Sequence, residues 1–167
     1  VIKFPNLSTD FIKEIIKKNY PDEKRIDFLA SFSEGNPGKL ESIIHDEAFE
    51  AMRFSALEHL SMLLSDRLYS AYKICDFLEK NKEQAEDILN LWILFLRDIL
   101  LVSEGIHKKV INSDLLDKLK VLSARTDEKR LVFAVERVTK ALQMLARFVN
   151  IRAISLNLAL SVKTFDK

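Results

Sequence analysis

The run Leu29-Ala30-Ser31-Phe32-Ser33-Glu34-Gly35-Asn36-Pro37-Gly38-Lys39-Leu40 constrains this chain more than any other. Two of the chain's three glycines and one of its three prolines meet here, so almost nothing elsewhere interrupts a helix. Physically the run is a helix stop fused to a helix start. Gly35 can take the left-handed conformation that ends a helix without a Cβ clash. Asn36 can cap the next helix through its side-chain oxygen. Pro37 suits the first helical position, where its missing N–H would have had no partner. On local physics alone this is a tight corner between two helices.

So little glycine and proline in 167 residues, with 48% hydrophobic residues and abundant Leu, Ile, Lys and Glu, predicts an all-α protein. The length allows one core or two small ones. A net charge of +1 gives no electrostatic case for wrapping a nucleic-acid backbone. The single cysteine, Cys75, excludes an internal disulfide framework and fits a reducing cytoplasm. No signal segment is expected, and the longest apolar run, Leu91 to Leu96, falls far short of the ~20 residues of a membrane span. A start at Val1 rather than methionine is what an excised piece would show.

In chain order, residues 1–8 read as an extended lead-in governed by Pro5. Ser8 or Thr9 should cap a first helix bearing Phe11, Ile12, Ile15 and Ile16. A second, from about Asp22, sets Ile26, Leu29 and Ala30 at helical spacing and closes at Gly35. The third starts at Pro37 and carries Leu40, Ile43 and Ile44. Longer helices follow. Phe49, Met52, Leu57, Leu60 and Leu64 mark one, with Ser65-Asp66 capping the next, which carries Leu68, Tyr69, Tyr72, Phe77 and Leu78. Glu83 to Val102 is apolar nearly all round, predicting the most buried helix, with Gly105 ending it. Ser113 should cap a helix with Leu115, Leu116, Leu119 and Leu122. Thr126 or Asp127 opens a last stretch running almost to Phe165, with a bend expected near Asn150.

The corner also carries a resemblance. Ala-Ser-Phe-Ser-Glu-Gly-Asn-Pro-Gly-Lys-Leu resembles the lid corner of the clamp-loader branch of AAA+ proteins and looks closest to the delta-prime subunits of bacterial DNA polymerase III clamp loaders. In the ATP-hydrolysing members an arginine, the sensor-2 residue, stands where this chain has Gly38. Lys39 lies about 100° further round the helix. The resemblance therefore implies a non-hydrolysing subunit. Further support comes from Leu91-Trp92-Ile93-Leu94-Phe95-Leu96-Arg97-Asp98-Ile99-Leu100-Leu101, similar to the collar helix of that family, and from Ile111-Asn112-Ser113-Asp114 after it. Val149-Asn150 is similar to the family's closing element, with Phe148 in place of its first asparagine.

The resemblance implies a three-helix AAA+ lid over residues 1–46 and a collar bundle of roughly five helices over 47–167. It implies an architectural role: packing with other clamp-loader subunits to load the sliding clamp, with DNA met only through the assembly. Gly35, Asn36, Pro37, Gly38 and Lys39 form the lid corner; Trp92, Arg97, Asp98 and Asn150 are the collar candidates. Arg97-Asp98 reads as an intersubunit contact or as solvated charges, and Trp92 as core. An ATPase subunit of the same family is the alternative. A metal phosphohydrolase is a further one, since His45-Asp46 spells the dipeptide of a helical family of such enzymes. No histidine precedes His45 to complete that set, and capping by Asp46 explains the pair. No catalytic residue, cofactor or metal is assigned.

Overall fold

The computed structural model describes residues 6–65, 67 and 69–165. The lead-in proline and the Asp66 and Leu68 positions lie outside the described residues. Among those described there are nine α-helices and no strand. They are α1 (Thr9–Asn19), α2 (Ile26–Phe32), α3 (Pro37–Ile44), α4 (Glu47–Leu64), α5 (Ser70–Lys80), α6 (Ala85–Ser103), α7 (Leu116–Ser123), α8 (Glu128–Ala146) and α9 (Ile151–Lys163).

Capping residues set most of the boundaries. Ser8 accepts from the Phe11 N–H, Asp46 from Ala48, Asp127 from Arg130 and Asn150 from Arg152, each satisfying an orphan donor of a first turn. Three boundaries differ from the sequence expectation. The second helix begins at Ile26 rather than near Asp22, because the Arg25 N–H and guanidinium both turn back onto the Glu23 carboxylate and hold residues 22–25 in a turn. The fifth helix starts at Ser70, with Tyr69 in the cap position and no side-chain cap, so Ser65 does not cap it; the Ser65 hydroxyl donates back to the Met62 carbonyl instead. Ser113 caps no α-helix; it opens a 3-10 turn, Ser113–Leu115, ahead of α7.

The helix at the centre is α6. It packs against α4, α7 and α8, and Ile88, Leu89, Leu91, Trp92, Phe95, Leu96 and Ile99 are all fully buried. Trp92 has no exposed surface, and its indole N–H donates to the Ala56 carbonyl at 2.8 Å, so the one polar atom of the ring is satisfied. Around this layer, α9 packs on α4, α5 and α8. The bundle after Asp46 thus has six α-helices against the roughly five expected, because the long final stretch breaks into α8 and α9. The break falls at residues 147–150, where a bend was expected. Buried residues from Ile12 to Val162 form one continuous apolar cluster, so the first three helices share their core with the bundle.

Candidate functional site

Two places gather most of the residues singled out from the sequence, the corner around Gly35 and a polar junction, while Trp92 lies in the core of the bundle and Asn150 at the start of α9. At the corner, Asn36 Oδ1 accepts from the N–H groups of Gly38 (2.9 Å) and Lys39 (3.2 Å), and Pro37 occupies the first position of α3. Gly35 has φ of +76°, and its carbonyl accepts from the Leu7 N–H at 2.8 Å. A Cβ built on Gly35 would stand 2.1 Å from the Leu7 carbonyl oxygen, so the corner requires glycine for close approach as well as for backbone freedom. Asn6 adds a bond from its side-chain amide to the Glu34 carbonyl, 2.9 Å. The corner therefore clamps the segment entering α1.

Gly38 is exposed and offers no side chain. Lys39 turns toward the bundle: its ammonium lies 4.2 Å from the Phe32 ring centroid and 3.5 Å from Asp87, on the first turn of α6.

The junction is built on Arg53, a guanidinium with no exposed surface in the middle of the apolar face of α4. Its two terminal nitrogens reach the two Asp114 oxygens at 2.8 and 2.9 Å in a bidentate fork. One nitrogen also donates to Asn112 Oδ1 (2.8 Å) and the other to Glu50 (3.1 Å). Its plane lies 3.8 Å from the Phe28 ring centroid, so α2 closes over the cation. Asn112 is fully buried and uses both ends of its amide. Its Nδ2 donates to Asp98 at 2.7 Å, while its Oδ1 accepts from Arg53. Asp98 on α6, also without exposure, accepts in addition from the backbone N–H groups of Asn112 (2.9 Å) and Ile111 (3.3 Å) and from Arg97 (2.9 Å).

On the other side, Arg25 links Glu50 to Glu23 and donates to the Ile44 carbonyl. The Arg25 fork holds the Glu23 carboxyl below the usual carboxylate range, and its carboxylate partners push the Arg25 guanidinium up. The chain of contacts Glu23–Arg25–Glu50–Arg53–Asp114 and Asn112–Asp98–Arg97 joins α2, α4, the connection before α7, and α6. Phe49 of α4 completes the contact, its ring 5.2 Å from that of Phe32 and 6.3 Å from that of Phe28.

Asp98 is thus neither a surface charge nor an available intersubunit group. A carboxylate without exposure has to be paired within the fold, and this one fastens residues 111–112 to α6. Arg97 remains about half exposed on its outer side. Asn150 caps α9 through its side chain. Arg53 was missed from sequence. The signal was an arginine in register with Phe49, Ala56, Leu57 and Leu60 on one helical face, a position where a cation has to find partners.

A cleft of about 670 Å³ opens beside the junction, lined by Tyr20, Arg25, His45 and Asp114 among others. His45 sits edge-on to Tyr20, and Asp46 caps α4. Among the described residues no group of three His, Cys, Asp or Glu side chains is placed to hold a metal, and no helix is long and apolar enough to cross a membrane. The charges of the junction are matched by partners. What the arrangement does is mechanical: it fixes the first three helices against α4 and α6.

Residues 47–163 match the family described as DNA polymerase III, delta subunit, C terminal. The chain belongs to this family. Comparison with curated proteins and with solved structures returns no match. The matched residues run from the first residue of α4 to the last of α9. In this delta-type C-terminal region lie Arg53, Trp92, Asp98, Asn112 and Asp114, while Arg25, Phe28 and the Gly35 corner precede it.

Proposed function

We propose that this chain is an architectural part of a DNA polymerase III clamp loader, of delta-prime type, which assembles with the other subunits so that the sliding clamp is placed on DNA. The family match over 47–163 supports the clamp-loader part of this reading. In it, residues 1–46 are the AAA+ lid-type unit and 47–167 the collar, whose long helices provide the main association surface. The Arg53 junction sets the angle between the two, and partners are met through the collar.

The delta-prime assignment is supported by the corner. Where ATP-hydrolysing relatives carry an arginine toward nucleotide phosphate, Gly38 presents only backbone, and Lys39 is committed to Phe32 and Asp87. The delta subunit itself is the second reading, favoured by the description of the matched family. Reconstitution decides. Added to a clamp loader lacking one subunit, the chain should compete with full-length delta-prime for its place and leave delta in position. Displacement of delta alone would select the second reading, and absence of any association would remove both.

A further inference from the structure

Two helix ends in this chain close in the same way and are finished by different residues. At the end of α6, the Ile106 N–H reaches back to the Leu101 carbonyl (2.8 Å) and that of Gly105 to Val102 (3.0 Å), with Gly105 at φ +74°. At the end of α8 the same paired bonds run from Val149 to Met144 (3.2 Å) and from Phe148 to Leu145 (2.9 Å). Here the left-handed residue is Phe148, at φ +58°. A bulky side chain at positive φ is disfavoured by its own Cβ, and glycine is the usual solution. Packing does not explain the exception, because Phe148 is 97% exposed. In the isolated chain this ring is therefore unfavourable twice over, once in backbone and once in solvation.

The surroundings indicate what would cover it. From residue 137 to residue 165 the chain carries Arg137, Lys140, Arg147, Arg152 and Lys163 and no acidic residue. Lys163 turns inward onto the Met62 and Ser65 carbonyls, while Lys140, Arg147 and Arg152 stay exposed. From a neighbouring element, Glu79 of α5 stands 3.6 Å from Arg152. Further along α9, Leu156 and Leu160 are each nearly half exposed. Single-stranded nucleic acid would call for successive aromatic rings to stack on, and α9 has none. An exposed ring next to Arg147 in the chain, followed on α9 by Arg152 and two half-exposed leucines, fits protein, with apolar surface meeting the ring and acidic groups meeting the rim.

We propose that Phe148 is an interface anchor that seats in an acidic-rimmed apolar socket of a neighbouring clamp-loader subunit. This rests on the clamp-loader reading above, and the experiment separates the two.

The wild-type chain, Phe148→Gly and Phe148→Asn are compared in two measurements: thermal melting, and binding to the other purified clamp-loader subunits. Either substitution should leave melting unchanged or raise it by about 1–3 °C, because glycine and asparagine accept the left-handed backbone. The same substitutions should weaken binding by about 30-fold or more, as removal of a central anchor does. A ring with an internal structural role would instead lower the melting temperature, and that result overturns the proposal. If the wild-type chain binds and both variants bind equally well, the anchor is wrong and the clamp-loader reading stands. If the wild-type chain does not bind, both fall. Arg147→Glu combined with Arg152→Glu should weaken binding most at low salt; no effect at any salt overturns the acidic rim. Binding of a single-stranded oligonucleotide that is lost on Phe148→Gly, with subunit binding intact, assigns the ring to nucleic acid and overturns the protein socket.

Discussion

The Arg53 junction and the α8–α9 corner break the same burial rule in opposite directions. At the junction a full charge sits without exposure; at the corner a full aromatic ring sits almost wholly in water. The first exception resolves internally. Arg53 has Asp114, Asn112, Glu50 and the Phe28 face around it, and Asn112 passes the network on to Asp98. The second has no internal resolution, since Phe148 gains neither burial nor backbone comfort from the rest of the chain. An odd residue whose partners are all inside the fold holds that fold together; one without them points to something outside. Substitutions should separate the two regions accordingly.

The largest effect is expected at the junction. Arg53→Ala leaves Asp114 and Asn112 facing an emptied site and should cost about 3–5 kcal/mol. Arg53→Met should recover little of it, because filling the volume does not pair the remaining carboxylate. Urea denaturation of the variants measures both. Equal stability of Arg53→Met and wild type would show that the charge is dispensable, and the contrast with the corner would dissolve. A double-mutant cycle with Asp114→Ala should show strong non-additivity.

Trp92→Ala is the apolar control. The ring is fully buried with its N–H bonded to Ala56, so the substitution should cost about 3–5 kcal/mol, while Phe148, larger than most core residues, should cost nothing when removed. Two aromatic residues with opposite exposure would then have opposite effects in one melting experiment. A mild Trp92→Ala would contradict the central place of α6.

How far these places were legible in sequence follows from the range of the interactions. Helices and caps are local, so Asn36-Pro37, Asp127 and the apolar run of α6 could be read directly. The break near Asn150 was visible as an overlong helix, but its exact form was not. A helix stop at Phe148 goes against propensity, and nothing in the local sequence marks that ring as exposed. The junction was half legible. Arg97-Asp98 and Asn112-Ser113-Asp114 stood out as words, yet Asp98 finds its partners 13 and 14 residues on, and Arg53, the partner of Asn112 and Asp114, lies 59 residues before Asn112. Only the fold brings them together, so Asp98 looked like surface charge. Gly35 was read for its backbone freedom, which is local; its contact with Leu7 spans the first two helices and could not be read.

That contact gives a smaller prediction within one corner. Gly35→Ala meets both a φ of +76° and the Leu7 carbonyl, and should cost about 1–3 kcal/mol. Gly38→Ala, three residues on, meets only Asn36 Oδ1 at 3.3 Å in a helical position, and should be near neutral. Faster amide exchange at Leu7 should accompany the first substitution and not the second. Similar losses at both positions would mean that the corner acts through helix capping alone.

The smallest effect concerns pH and again divides the two regions. Glu23 is held below its ordinary value chiefly by its hydrogen bonds from Arg25. A carboxyl depressed in the folded state adds stability that is present above its unfolded value, about pH 4.3, and is lost as pH falls through the lower folded value. Because the pair is partly open to solvent, the contribution should stay below about 1 kcal/mol. Glu23→Gln should therefore melt slightly below wild type at neutral pH, and the two should converge in acid. The α8–α9 corner, with no carboxylate on its own stretch from residue 137 to 165, should show little of this. Glu79 of α5, beside Arg152, reaches it from outside that stretch. Followed by NMR, the Arg25 side-chain signals should shift through this acid range while those of the Phe148 ring stay nearly fixed. If the Phe148 ring followed the Glu23 titration, the two regions would be coupled, and the corner could no longer be treated as independent of the junction.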